Sequence, residues 1–423
     1  MKLIFKYLLL PVIGLIALLL AYVLSSLMFF SEVEIDKYGI YSQWNIPLTP
    51  SFDIKTRLEK GRFQVGENNE HLNFFDGPVV FKHPDNQLLV KYYCNDQIYS
   101  VVTERETSID CHGRHYSFNF YEPKQYETFS FDMPEKLVAI GDIHGRLETF
   151  KSLLLASEVI DDHSQWQFGE GHLVLTGDAI DRGRESIQVL WFIYQLQNQA
   201  MQAGGRVHFI LGNHEHMAMA NDLRYVESGH RYAIEQMMPY AESLSSKTLL
   251  GRWLKEQPHI IKLGDMLFTH GGISPSILQN ESNLDSLNRQ YIQSTKSGMS
   301  DESYYQVAKD PISPSWYRGY FAEAKMYPKI SENELDDVLN FFDVSTIVVG
   351  HTRQQQISHY FNEKLIAIDT MDVNPQSFRI IDGKFDKVSI AKSEQASEVE
   401  RTVRKFSLLN SDDRAFVANI LFG

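Results

Sequence analysis

The chain has 423 residues, 43% of them apolar and 22% charged, which suits two or three compact units with a sizeable core and excludes wholesale disorder. Its formal charge is −14, from 54 acids against 40 Lys and Arg, so its surface repels polyanions on average and no nucleic-acid partner is expected.

Lys2 and Lys6 precede residues 7–30, which carry no charge. As a helix that stretch is about 36 Å long, and a bilayer core is roughly 30 Å thick. Glu32, Glu34 and Asp36 follow. Lysines before and acids after predict a transmembrane anchor within residues 1–30, with the body exported to a periplasmic or extracellular space. The competing expectation is a cleaved signal peptide and a secreted body. Such peptides have apolar cores of about 7–15 residues ending in small-x-small sites, whereas this run ends Ser-Ser-Leu-Met-Phe-Phe.

Residues 31–134 read as a β-rich accessory region, with short aromatic and β-branched runs punctuated by Asn, Asp, Gly and Pro. The two cysteines of the chain, Cys94 and Cys111, lie in it. In an oxidising space a hairpin between them can pair them; two free buried thiols are the alternative. His112 and His115 read as surface residues.

From Lys136 apolar strands alternate with amphipathic helices, and five motifs follow successive strands. The first is Gly141-Asp142-Ile143-His144-Gly145. Residues two apart on a strand end face one side, so Asp142 and His144 can reach one metal ion. The second, Gly177-Asp178-Ala179-Ile180-Asp181-Arg182-Gly183, offers a carboxylate, Asp178, that can bridge two ions, and a guanidinium, Arg182, that can grip a phosphate. The third is Gly212-Asn213-His214-Glu215. Asn213 offers a carbonyl ligand, and His214 stays free as a general acid oriented by Asp181. His216 reads as a helix-surface residue and not a ligand. Thr269-His270-Gly271-Gly272 and Gly350-His351-Thr352 add two imidazoles. Taken singly, these motifs have structural alternatives: a surface Asp-Arg pair, or a satisfied buried His. Taken together they predict paired divalent metals (Mn, Fe, Zn or Co, manganese favoured) and metal-assisted hydrolysis of a phosphoester. Residues 279–310 read as a mostly helical cap. Residues 377–423 read as a hairpin turning at Asp382-Gly383 and a helix from about Glu398, packed on the catalytic domain.

These strings resemble those of the calcineurin-like metallophosphoesterases, over about residues 137–372. Within that superfamily they are similar to the phosphoprotein phosphatase branch, which also contains the symmetrical dinucleoside tetraphosphatases. Ser313-Pro-Ser-Trp316-Tyr317-Arg318-Gly319 is similar to a segment of the Shewanella-like protein phosphatases. The resemblance implies a two-sheet β-sandwich flanked by helices over residues 135–376. It implies one metal held by Asp142, His144 and Asp178, and a second by Asp178, Asn213, His270 and His351. It makes His214 the acid, Asp181 its partner, and Arg182 with Arg318 the phosphate contacts; a capping role is the alternative for Arg318. Where many relatives have Gly, this chain has Met371 after Ile368-Asp369-Thr370, so a differently shaped pocket floor is expected. The expected reaction is direct attack by a hydroxide shared between two metals. The expected substrate is a protein phosphorylated on Ser, Thr or Tyr. A dinucleoside polyphosphate or other small phosphoester is the alternative, and a non-catalytic, membrane-anchored binding module a more distant one.

Overall fold

The computed structural model describes residues 10–30, most of 32–56, 74–390 apart from short gaps at 96, 281–282, 298–303 and 305–306, and then 402–405, 407 and 409. The chain forms two compact units, Met1–Phe74 with Ser397–Gly423, and Phe75–Ala396.

In the first unit Leu10–Phe30 is one uncharged α-helix of 21 residues. The anchor expected within residues 1–30 finds no support there. Among the described residues no helix is long and apolar enough to cross a membrane, and this helix has described side chains only at 12–22 and 25. Glu32–Asp36 is the central strand of a three-stranded sheet, between Gly39–Gln43 and Thr402–Lys405. Residues 402–405 are therefore strand, where a helix was expected. Local pattern could not reveal this, because the pairing partner lies at the far end of the chain. The rest of that expected helix falls outside the described residues.

The second unit begins well before residue 135. Phe75–Lys82, Leu88–Cys94 and Gln97–Thr103 form an antiparallel sheet, and Glu106–Cys111 pairs with Arg114–Asn119. A Cys94–Cys111 disulfide joins the two groups of strands. Trp191 carries this region on the sandwich that follows: its indole donates to the Pro78 carbonyl at 2.8 Å, and Phe118 and Phe120 meet its ring edge-on.

The sandwich strands are β1 (Ser130–Phe131), β2 (Lys136–Ile140), β3 (His172–Leu175), β4 (Arg206–Phe209), β5 (Ile260–Leu263), β6 (Met266–Thr269), β7 (Thr346–Val349), β8 (Ser358–Tyr360), β9 (Leu365–Ala367), β10 (Gln376–Ile381) and β11 (Lys384–Ser389). One sheet has five strands in the order β4-β3-β2-β10-β11, and the other six in the order β1-β5-β6-β7-β9-β8. Period-two alternation divides their side chains. Leu137, Ala139, Val174, Phe268, Val348 and Phe378 meet between the sheets. Leu267, Ile347 and Val349 face outward, onto Leu335, Val338 and Phe342 of the helix Glu332–Phe342. Burial on both faces explains why these strands are continuous apolar runs. The expected turn at Asp382-Gly383 is present, both residues having positive φ (48° and 71°) between β10 and β11.

In the stretch read as a cap, Leu284–Ser297 is a helix. It docks on β5 through Asn288, whose buried carboxamide accepts from the His259 and Ile260 amides at 2.9 and 3.1 Å and donates to the Ile260 carbonyl at 2.8 Å.

Candidate metal centre

Five strand ends converge. β2, β3, β4, β6 and β7 each run out into one of the five motifs, and parallel pairing of β2 with β3, β3 with β4, and β6 with β7 brings those ends to one edge of the sandwich. Tight loops follow. Asp178, His144 and His351 have φ of 53°, 52° and 61°, a left-handed conformation costly for residues with a side chain. Glycines admit the close approaches: a Cβ on Gly212 would lie 2.2 Å from an Asp178 carboxylate oxygen, and one on Gly350 would lie 2.5 Å from an Asp142 oxygen.

Asp178 stands at the middle. Its Oδ2 lies 3.9 Å from His144 Nε2 and 3.7 Å from His214 Nε2, and its Oδ1 lies 3.3 Å from His270 Nε2. On one side are His144 and Asp142, whose Nε2 and Oδ2 are 3.8 Å apart. On the other are Asn213 Oδ1 and His351 Nδ1, at 3.0 and 3.1 Å from His270 Nε2. All six predicted ligands are thus brought together, and all are buried.

The imidazoles are oriented as ligands. His144 Nδ1 donates to the Ile180 carbonyl at 3.0 Å, which leaves Nε2 as the lone-pair nitrogen, and that buried atom has no hydrogen-bond partner. His270 Nδ1 is committed to the Thr176 carbonyl at 2.6 Å, and His351 Nε2 to the Trp316 carbonyl at 3.2 Å. The other nitrogens of His270 and His351 therefore face each other and two oxygen acceptors, with Arg318 Nη2 also 3.4 Å from His351 Nδ1. Four acceptors around one point need a positive charge, and backbone carbonyls behind ligating histidines are the usual way such rings are fixed.

The electrostatics agree. Burial pushes the Asp142 carboxyl well up from its ordinary range, reinforced by the nearby charge of Asp369. For Asp178 burial acts the same way, but His270, His214 and His144 outweigh it and hold the carboxyl well below its ordinary range. Burial disfavours a His270 cation, yet Asp178 beside it carries the pKa up to about 9. His351 is driven well down, by burial and then by the charge on His270. The protein by itself thus traps a proton where its acceptors crowd. Carboxylate, amide oxygen and imidazole without thiolate suit divalent first-row metals, and two such clusters sharing Asp178 suit a pair.

His214 sits at the rim of this array. Its Nδ1 lies 2.7 Å from Asp181 Oδ2. Burial opposes its cation, but Asp178 and Asp181 prevail and raise its pKa. Arg182 is half-exposed, with Nη1 3.2 Å from Asp372 Oδ2. Arg318 is exposed and reaches the opposite flank, its Nη2 3.3 Å from the His351 carbonyl.

Three features escaped the sequence. Glu215 is fully buried, and its carboxylate accepts from the amides of Asp178, Ala179 and Gly212 at 2.9, 2.8 and 2.8 Å, so it holds the second and third motifs together. Its place in the third motif was the available signal. Asp372 gathers Arg146, Arg182 and Arg353, with nothing in the local pattern to announce it. His216 is no surface residue: it is fully buried, with Nε2 3.0 Å from His259 Nε2, because its helix Asn213–Met219 is covered on both faces. Of the two accessory-region histidines, His112 is exposed, and His115 is largely exposed and pairs with Asp110.

Comparison with known proteins follows the same outline. The calcineurin-like phosphoesterase family matches residues 135–355. A crystal structure of a cold-active protein-tyrosine phosphatase from a psychrophilic Shewanella species is 34% identical, with a TM-score of 0.66, covering 75% of this chain and 100% of that one. Shewanella-like protein phosphatase 1 of Plasmodium berghei is 30% identical over 56% of this chain and 66% of its own length. A symmetrical bis(5'-nucleosyl)-tetraphosphatase of Chromobacterium violaceum is 32% identical, over 33% of this chain and 44% of its own length. The chain belongs to the calcineurin-like phosphoesterase family.

Proposed function

We propose that this protein is a metal-dependent protein phosphatase that removes phosphate from phosphorylated side chains. The observation that carries the reading is the pair of acceptor clusters sharing Asp178, one of which includes His214, whose pKa is raised by Asp178 and Asp181. Asp142, His144 and Asp178 would hold one cation, and Asp178, Asn213, His270 and His351 the other. When bound, such a pair polarises the phosphoryl group and makes water a competent nucleophile near neutral pH. The chain's own groups do the rest. His214 Nε2 supplies a proton to the leaving oxygen while Asp181 holds the ring by Nδ1. Arg182 and Arg318, on opposite flanks, grip the phosphoryl oxygens and offset their charge. The names of the Shewanella and Plasmodium relatives favour a phosphoprotein over a dinucleoside polyphosphate, as does their greater coverage of this chain. Turnover of phosphotyrosine, phosphoserine and phosphothreonine peptides beside diadenosine tetraphosphate, with each metal added back, tests it. Manganese should restore most activity. Release of phosphate only from the dinucleotide would overturn the protein-phosphatase reading.

We propose further that residues 7–30 anchor the chain and that the catalytic body is exported. Lys2 and Lys6 before the uncharged stretch, acids after it, and a cystine at Cys94–Cys111 support this. Protease treatment of intact cells expressing the full chain should degrade the body; protection of it would contradict the topology.

A further inference from the structure

We infer that Tyr225 reads the group to which the phosphate is attached, and that it favours a flat aromatic one. The inference rests on the hydrolase reading above and adds the class of leaving group. Tyr225 is 44% exposed, among the larger exposures for an aromatic side chain in this unit, yet it is not on a remote surface. Its ring centroid lies 5.0 Å from that of His214, at an interplanar angle of 55°. His214 protonates the leaving oxygen, so whatever carries that oxygen must pass beside this phenol.

The platform is held in place. The Tyr225 carbonyl accepts from the Arg182 amide at 2.8 Å, which ties its loop to the loop of the phosphate-gripping arginine. The Arg224 guanidinium lies 5.7 Å from the Tyr225 ring centre and is itself fixed to both oxygens of Asp222 at 2.8 Å. Val226, next in the chain, is buried and anchors the segment from below. A fixed ring, 44% exposed, therefore stands beside His214. An aryl phosphate gains an aromatic contact there; the single methylene of a serine phosphate is too small to cover the ring.

Phosphonates separate this idea from turnover, because they bind without being cleaved. Dissociation constants of phenylphosphonate and methylphosphonate are measured with the full-length, manganese-loaded protein and with Tyr225→Leu and Tyr225→Phe. Removing the ring should weaken phenylphosphonate about five- to tenfold and methylphosphonate less than about twofold, and Tyr225→Phe should behave as the unaltered protein does. Equal weakening of both ligands by Tyr225→Leu, or of neither, would overturn the inference. Should the leucine variant fail to fold, Tyr225→Gln takes its place under the same criteria. A protein that discriminates between the phosphonates through Tyr225 but cleaves no phosphopeptide would retain this inference and lose the phosphoprotein assignment.

Discussion

Asp181→Asn separates the proton-transfer role of His214 from its mere presence. An amide can still reach His214 Nδ1, 2.7 Å away, but it no longer stabilises the imidazolium. The expected loss is about 10²–10⁴ in kcat with KM within a few-fold, read by steady-state kinetics on an aryl phosphate. Glu215→Gln probes the scaffold instead. Its four close contacts are all backbone amides, so an NH₂ group must face a donor. Metal affinity should fall about 10–100-fold, measured by competition with a chelator. His216 makes a statement about stability. Burial drives its pKa to about 3, against 6.5 unfolded, with the charge on His270 acting in the same direction. The unfolded chain therefore takes up the proton first as pH falls. Stability is whole above about pH 6.5 and declines as pH drops toward the folded value, by on the order of 1–2 kcal/mol at pH 5 from this residue. Chemical denaturation at pH 7 and pH 5 should show a smaller difference in His216→Gln than in the parent. The convergence of the six candidate ligands was legible in the sequence because each chemically distinctive residue follows an apolar strand. The burial of His216 was not, since only the tertiary covering of its second face decides it.

Among the elements, the accessory strands depend on a covalent staple. Cys94 and Cys111 are 17 residues apart, and a loop of about that length contributes roughly 3 kcal/mol by restricting the unfolded chain. Cys111→Ser should lower the melting temperature correspondingly while leaving metal content unchanged, since neither cysteine belongs to the two groups that share Asp178. The catalytic strands needed less inference. β2, β3, β6 and β7 are apolar runs, and each is followed by a motif. Two elements defeated local reading for a common reason. Thr402–Lys405 pairs with Glu32–Asp36 across almost the whole chain, and Asp372 collects arginines from three separate loops. Partnerships made at such separations leave no periodic trace.

For the whole molecule, the formal charge of −14 sets a boundary condition on the site. A phosphorylated substrate approaching an acidic body needs local compensation: Arg318 reaches His351, and Arg146, Arg182 and Arg353 gather on Asp372, near a centre that would itself hold cations. Every step assigned to His214 and the arginines presupposes those cations. Elemental analysis of the full-length protein, after manganese loading and exhaustive dialysis, tests this most directly, with Asp178→Asn as the paired variant. The parent should retain about two metal ions per chain and the variant fewer, because its amide cannot bridge with two anionic oxygens. A parent that retains none, or a variant that holds as many as the parent, would contradict the paired-metal reading.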